Sequence, residues 1–152
     1  MRAASPLGPR SNTALGTIPL GFSRASPDAD HTVPVISVVD DDASIRRALR
    51  RLLGSAGYDV AGFASAFECL ASGLLGQSAC LVLDVHLEGM TGFELHERLV
   101  ADRYVIPIVF ITAHDDAPTR KLVEQARPAG YVPKPFDAAV LLAAVGSAAG
   151  PA

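Results

Sequence analysis

Apolar runs that stop abruptly on a polar residue restrict the fold of this chain more than any other feature. Residues 80–83 run straight into Asp84, residues 35–39 run into three consecutive aspartates, and residues 106–111 end on Thr112. Such runs are typical of strands buried on both faces of a parallel sheet. Because open α/β sheets place their chemistry at the carboxyl ends of the strands, these polar residues are predicted to meet at one edge.

Composition favours one globular domain. The chain has 152 residues, of which 49% are hydrophobic and 19% charged, enough to build a core. Its net charge of −3 gives no reason to expect nucleic-acid or membrane binding. No apolar run is long enough for a bilayer and no secretory signal is evident, so a cytoplasmic location is expected. Cys69 and Cys80 lie in apolar surroundings and are predicted to be buried, reduced thiols.

The first 33 residues differ from the rest. They contain four prolines among scattered Gly and Ser, and their apolar residues form no periodic face, so residues 1–33 are predicted to be a disordered tail. The globular domain is predicted at 34–148, with a short tail at 149–152. An organelle transit peptide is a weaker interpretation of the Arg- and Ser-bearing, acid-poor start.

From residue 35 onward, strand and helix patterns alternate, which predicts stacked βαβ units and a doubly wound α/β fold. Asp42 can cap the first helix, and Gly57 can end it. The predicted strands are 35–39, 58–63, 80–84, 106–112 and 131–133. The predicted helices run from 43 to 56, from 64 to 75, from 93, from about 118, and from 138 to 148.

The strand ends would present five polar residues to one shallow cleft: Asp40, Asp41, Asp84, Thr112 and Lys134. Crowded carboxylates repel one another unless a hard cation neutralises them, and Mg²⁺ suits a site with few carboxylates, water and phosphate. The lysine and the threonine can hold phosphoryl oxygens. An aspartate placed among them is equipped to attack phosphorus and form an acyl phosphate, which points to Asp84.

The first helix has a basic face formed by Arg46, Arg47, Arg50 and Arg51. Phosphate or nucleic-acid contact is one interpretation. A solvated face with some role in docking an acidic partner is the preferred one.

Four segments resemble, in order and spacing, the signature segments of bacterial two-component response-regulator receiver domains: residues 38–42, 83–92, 110–113 and 131–136. The resemblance spans roughly residues 35–148 and is strongest to the receivers of nitrogen-fixation-type regulators. It implies a flavodoxin-like (βα)5 fold with strand order 2-1-3-4-5. Since no helix-turn-helix follows residue 148, the chain is expected to be a stand-alone receiver without direct nucleic-acid binding.

The resemblance also implies a metal site. Asp84 corresponds to the phosphoacceptor, which a sensor histidine kinase phosphorylates with Mg²⁺ as cofactor. Asp41 corresponds to a direct metal ligand and Asp40 to one that acts largely through water. The backbone carbonyl of His86 corresponds to the third protein ligand.

A conformational switch is implied in the same way. Thr112 corresponds to the switch hydroxyl, Lys134 to the lysine of the site, and Tyr131 to the aromatic residue that swings inward on activation. Pro135 corresponds to a residue that is commonly preceded by a cis bond.

Two departures from the family pattern stand out. Glu88 replaces a proline that commonly shapes the loop after the phosphoacceptor. Arg127 and Pro128 replace a small glycine turn, so a rebuilt end of helix four is expected. In addition, His86 and His114 flank the predicted pocket. One hypothesis is that they control water access to the acyl phosphate and make its lifetime pH-dependent near neutrality; exposed loop histidines without that role are the alternative.

The function predicted is a phosphorylation-controlled interaction switch, which is a signalling domain rather than an enzyme. Its output would be an unknown protein target, a relay step or a homodimer through helix four, strand five and helix five. One alternative is a phosphorylation-independent binding module. A phosphohydrolase with an aspartyl nucleophile is another, although it requires a second acid where His86 stands.

Overall fold

The structure is a computed structural model that describes residues 33–152. The predicted tail at 1–33 lies almost wholly outside the described residues and stays a prediction. The strands are β1 (Val35–Val39), β2 (Asp59–Phe63), β3 (Ser78–Asp84), β4 (Ile108–Thr112) and β5 (Gly130–Pro133). The helices are α1 (Ala43–Ser55), α2 (Ala66–Ala71), α3 (Gly92–Ala101), α4 (Ala117–Ala126) and α5 (Ala138–Ala149).

All five strands are parallel and follow the order β2-β1-β3-β4-β5, which confirms the predicted doubly wound, flavodoxin-like sheet. The register aligns the strand ends. Val39 pairs with Leu83, and Asp84 pairs with Ile111. The residues that follow β1, end β3 and end β4 therefore share one edge of the sheet.

Alternation along the central strands separates two hydrophobic layers. On β3, Leu81 and Leu83 belong to a cluster that packs against α2, α3 and α4. Cys80 and Val82 belong to a second cluster that packs against α1 and α5. Each strand residue faces the layer opposite to that of its neighbour, because side chains alternate across a strand. The central strands are therefore packed on both faces of the sheet.

The second helix is shorter than predicted. The pattern suggested 64–75, but α2 ends at Ala71 and a short 3-10 turn, Leu75–Gln77, precedes β3. Ser72 stops the helix, because its hydroxyl donates to the Cys69 carbonyl and accepts the Leu74 N–H. Gly73 then takes a φ of +75°. Strand β4 also begins two residues later than predicted, although the Pro107 carbonyl still accepts the Leu81 N–H.

Both predicted ends of α1 are found. The Asp42 side chain accepts the Ser44 N–H at the start, and Gly57 follows the helix with a φ of +103°. At the end of α4, Arg127 takes the left-handed conformation with a φ of +50°, which is the rebuilt exit expected from its sequence. Within residues 33–152, no helix combines the length and apolar character that crossing a bilayer requires.

Candidate functional site

Three carboxylates meet at the carboxyl edge of the sheet. Asp40 and Asp41 follow β1 and Asp84 ends β3, and one carboxylate oxygen from each lies within 4.8 Å of the others. Asp40 is completely buried and Asp84 is 4% exposed, whereas Asp41 is open to solvent. The cluster therefore has a buried floor and one exposed side.

Lys134 directly follows the edge strand β5 and reaches this cluster. Its Nζ lies 2.8 Å from Asp40 Oδ2 and 3.5 Å from Asp84 Oδ2. Its backbone N–H donates to the Thr112 carbonyl at 2.7 Å, and the bond to Pro135 is cis, as the resemblance implied. The lysine thus bridges two carboxylates that otherwise repel each other.

The pKa values of this group reflect burial and mutual charge. Burial raises the pKa of Asp84 and the neighbouring Asp40 carboxylate raises it further, against the opposing effects of Lys134 and the His86 N–H. Burial of the Lys134 ammonium opposes its charge, but its hydrogen bond to Asp40 and the charge of Asp84 outweigh this and raise its pKa. Lys134 is therefore a cation, whereas the surroundings of Asp84 destabilise its ionised form.

Backbone contacts fix Asp40 in the cluster. Its N–H donates to the Phe63 carbonyl at 3.1 Å, and its Oδ1 accepts the Asp42 N–H at 2.9 Å. Its carbonyl accepts a hydrogen bond of 2.7 Å from Arg46 Nη1. Arg46 is only partly exposed and differs in this from Arg47, Arg50 and Arg51, which are exposed as predicted.

The segment after Asp84 is packed tightly against the strand end. The His86 N–H donates to Asp84 Oδ1 at 3.2 Å, and the Gly92 N–H donates to the Val85 carbonyl at 2.9 Å. A Cβ atom on Gly92 would lie only 2.3 Å from the Asp84 carbonyl oxygen and 2.9 Å from the Val85 Cα. Gly92 therefore has a structural role beside the site that the sequence revealed only as part of a flexible turn.

Thr112 and the two loop histidines lie along the same edge. Thr112 is completely buried, and its hydroxyl accepts the His114 N–H at 3.0 Å. The rings of His86 and His114, both on exposed residues, pack edge to face with centroids 4.5 Å apart. The ring contact connects the β3–α3 loop to the β4–α4 loop, and the hypothesis that the two histidines control water access stays a prediction.

Tyr131 forms its hydrogen bond with the β4–α4 loop and not with the acidic cluster. Its hydroxyl donates to Asp115 Oδ1 at 2.7 Å, and Arg120 Nε donates to the same oxygen at 2.8 Å. Partial burial of the phenol, its hydrogen bond to Asp115 and the charge of that carboxylate raise the pKa of Tyr131 to about 12. Asp115 and Arg120 were not singled out in the sequence, because neither belongs to a strand end or a signature segment.

The donor set fits a hard divalent cation. Carboxylate oxygens are the ligands that Mg²⁺ and similar ions prefer, and the exposed Asp41 leaves one side open for water or a phosphoryl oxygen. The raised pKa of Asp84 gives an energetic reason for binding, since a cation would relieve the repulsion from Asp40.

Sequence comparison identifies the family. Residues 36–146 match the response regulator receiver domain. Nodulation protein W of Bradyrhizobium diazoefficiens is 40% identical over 114 residues, which are 75% of this chain and 50% of that protein. The transcriptional regulatory protein FixJ of Azorhizobium caulinodans is 34% identical over 115 residues, 76% of this chain and 54% of FixJ. The chain thus spans about half the length of these relatives.

Solved structures agree. The response regulator StyR is 44% identical with a TM-score of 0.72, over 78% of this chain and 60% of that one. The chemotaxis protein CheY4 of Vibrio cholerae is 27% identical with a TM-score of 0.69, over 77% of this chain and 99% of that one. With its acidic cluster and bridging lysine at the carboxyl edge of the sheet, this chain belongs to the receiver-domain family of two-component response regulators.

Proposed function

We propose that this receiver accepts a phosphoryl group on Asp84 from the phosphohistidine of a sensor kinase, with Mg²⁺ as cofactor. The observation that carries the proposal is the position of Lys134 Nζ, which contacts Asp84 and Asp40 together at the centre of the acidic cluster. The proposal places the receiver at 34–148, as expected from the sequence, and in the cytoplasm, where the buried thiols would stay reduced.

The chemistry is a displacement at phosphorus. A carboxylate oxygen of Asp84 forms the new bond to phosphorus while the bond from phosphorus to the donor imidazole breaks, and the imidazole leaves with the electron pair. When bound, Mg²⁺ would be held by Asp41 and Asp84, with Asp40 acting through water, and would neutralise charge on the phosphoryl oxygens. The His86 carbonyl is proposed as the remaining protein ligand.

Lys134 is proposed to contact the phosphoryl oxygens on which negative charge develops during transfer. Its ammonium already lies within 3.5 Å of Asp84, so it needs only a small shift from Asp40 to contact an oxygen on phosphorus. A compact, rotatable cation suits this transfer between two acceptors. The buried Thr112 hydroxyl, now accepting the His114 N–H, is proposed to turn toward the phosphoryl group and carry the β4–α4 loop with it.

Phosphorylation is proposed to shift a pre-existing equilibrium rather than to create a new shape. The surface that would change comprises α4, β5 and α5, because Tyr131 lies in β5 and its partner Asp115 precedes α4. Output would be an unknown protein target or a homodimer formed through that surface.

The Asp115 contact should hold Tyr131 in its outward position. Asp115→Ala removes the acceptor, so phosphorylation by acetyl phosphate is expected to speed up about two- to fivefold, the range for an exposed ion pair. The phenol pKa should fall from about 12 toward its ordinary value. Burial of the phenol is the largest cause of the raised pKa and the Asp115 contact adds to it, so the associated stability is present below pH 10 and is lost as pH rises through about 12. Absorbance titration of the tyrosines in the variant and in wild type measures the part that Asp115 contributes.

Asp102→Ala is the matched control for that variant, since Asp102 forms a comparable exposed pair with Arg98 on α3. The control should phosphorylate at the wild-type rate. Equal rates for Asp115→Ala and wild type would show that the contact does not restrain Tyr131.

The paired histidine rings should slow hydrolysis of the acyl phosphate. His114→Ala opens one side of the pocket and is expected to hydrolyse several-fold faster at fixed pH, because water reaches the phosphorus more easily. His114→Phe keeps a ring in place and should hydrolyse more slowly than the alanine variant. Equal hydrolysis rates in wild type and both variants, measured by loss of phosphate from the isolated phosphoprotein, would contradict the shielding.

Incubation with Mg²⁺ and acetyl phosphate, followed by intact-mass measurement, tests the proposed function. A gain of one labile phosphate that EDTA prevents is the expected result. Turnover of many phosphates from a stable monoester would instead indicate a phosphohydrolase. Absence of any phosphate at saturating donor would indicate a receiver-like binding module that works without phosphorylation.

A further inference from the structure

The Arg46 side chain folds back from α1 onto the peptide that joins Asp40 to Asp41. Its Nη1 donates to the Asp40 carbonyl at 2.7 Å, six residues earlier in the chain. On the other side of the residue, the Asp40 N–H donates to the Phe63 carbonyl at 3.1 Å. Residue 40 is therefore held from β2 through its N–H and from α1 through its carbonyl.

Asp41 depends on this peptide more than Asp40 does. The buried Asp40 carboxylate is independently fixed by the Asp42 N–H at 2.9 Å and by Lys134 Nζ at 2.8 Å. Asp41 is exposed, and among residues 33–152 no hydrogen bond to its carboxylate is found. Its oxygen nevertheless lies within 4.8 Å of an oxygen of Asp40 and of Asp84. The carbonyl that Arg46 binds belongs to the peptide bond that leads into residue 41.

Gly62 on β2 gives the arginine side chains room to lie over the sheet. A Cβ atom at Gly62 would lie 3.0 Å from Arg50 Nη2 and 3.7 Å from Arg46 Cδ. Arg47 differs, because it is exposed and its Nη2 lies 3.4 Å from the Ser44 hydroxyl of its own helix. Neighbouring arginines on one helix thus have different surroundings, and only Arg46 contacts the carboxylate segment.

We infer that Arg46 is a positioning residue for the cation site: it orients the peptide between Asp40 and Asp41 so that the Asp41 carboxylate faces Asp84. The inference rests on the proposed function in that it assumes a divalent cation binds this cluster. It concerns metal affinity directly and not the rate of phosphoryl transfer. Groups that orient ligands without touching the metal typically change its affinity by about 10- to 100-fold.

The test is a titration with Mn²⁺ as the probe, in which electron paramagnetic resonance reports the free ion. Arg46→Gln is expected to bind Mn²⁺ about tenfold more weakly than wild type. Arg46→Lys keeps a charged donor and should recover part of the affinity. Arg47→Gln and Arg51→Gln remove the same charge from the same helix and should bind like wild type, which separates positioning from a general electrostatic effect.

A double-mutant cycle shows whether Arg46 acts through Asp41. In an Asp41→Asn background the Arg46→Gln change should lose most of its effect on Mn²⁺ affinity, because the ligand it orients is gone. A purely structural role would weaken binding equally in both backgrounds and would overturn the inference. If Arg46→Gln does not fold, Arg46→Lys in the two backgrounds provides the same comparison.

The two proposals fail differently. The cation site, and the proposed function with it, is rejected if the wild-type protein binds no Mn²⁺. The same holds if Asp84→Asn binds Mn²⁺ as tightly as wild type does. A wild type that binds Mn²⁺ at the acidic cluster, with unchanged affinity in Arg46→Gln, would reject only the role of Arg46.

Discussion

Asp84→Asn should remain unphosphorylated under conditions that label the wild-type protein with one phosphate. The amide is a poor nucleophile toward phosphorus. Of the other two carboxylates in the cluster, Asp40 is already bonded to Lys134 and the Asp42 N–H, and Asp41 is the proposed cation ligand. We expect a loss of at least about a hundredfold in the labelling rate with acetyl phosphate and Mg²⁺, the size associated with removing a reacting group. Intact-mass spectrometry over a time course measures it.

Asp42→Asn is the matched control, because it removes a carboxylate from the same acidic run but keeps a side chain that can cap α1. It should be labelled like wild type. Labelling of Asp84→Asn at the wild-type rate would place the phosphoryl group on another residue and would reject the proposed acceptor.

Unfolding does not explain the expected loss. The pKa of Asp84 is raised in the folded protein by burial and by Asp40, so its favourable contribution to stability is present at acid pH and is lost as pH rises through the folded value. At neutral pH and without metal, the ionised carboxylate costs stability. Asp84→Asn should therefore be at least as stable as wild type in urea under those conditions.

Gly92→Ala should lower the free energy of unfolding by about 3 kcal/mol, at the upper end for overpacking a well-filled site. The added Cβ would lie 2.3 Å from the Asp84 carbonyl oxygen and 2.9 Å from the Val85 Cα. Both contacts are with backbone, which cannot move aside as a flexible side chain can. Because the shifted backbone carries the phosphoacceptor, the labelling rate should fall as well. Urea denaturation followed by circular dichroism measures the loss of stability.

Gly54→Ala is the matched control, because it adds the same single methyl group at an uncrowded position. Gly54 lies in α1, and nothing lies within 4 Å of the position of an added Cβ. Alanine there should stabilise the protein by about 0.5–1 kcal/mol through its helix propensity. If both variants change stability in the same direction and by the same amount, backbone crowding at Gly92 is not the cause.

The meeting of Asp40, Asp41, Asp84 and Lys134 could be predicted because it depends on strand ends. Parallel strands place their carboxyl ends at one edge, so residues far apart in sequence converge once the strand order is known. The order itself came from a resemblance and not from periodicity. The roles assigned to these residues depend on the experiments above.

Contacts made by a single bent side chain or a single close approach could not be predicted. Helical periodicity places Arg46 on the polar face of α1, but it does not show that the side chain turns back to a carbonyl six residues earlier. The sequence shows that Gly92 lies in a turn, yet its need for glycine arises from contact with a strand end. The helical pattern of apolar residues continues to Leu75, so it did not predict that α2 ends early, at Ser72 and Gly73.

The link between Lys134 and Asp40 joins the residue that follows the last strand of the sheet to the residue that follows the first, across 94 positions of sequence. During synthesis on the ribosome, Asp40, Asp41 and Asp84 are added to the chain well before β5 and the lysine that follows it. The complete cluster, and with it the proposed phosphorylation of Asp84, is therefore delayed until synthesis of the receiver is almost finished. Under the proposed function, a fragment released before Lys134 is synthesised should not be phosphorylated on Asp84.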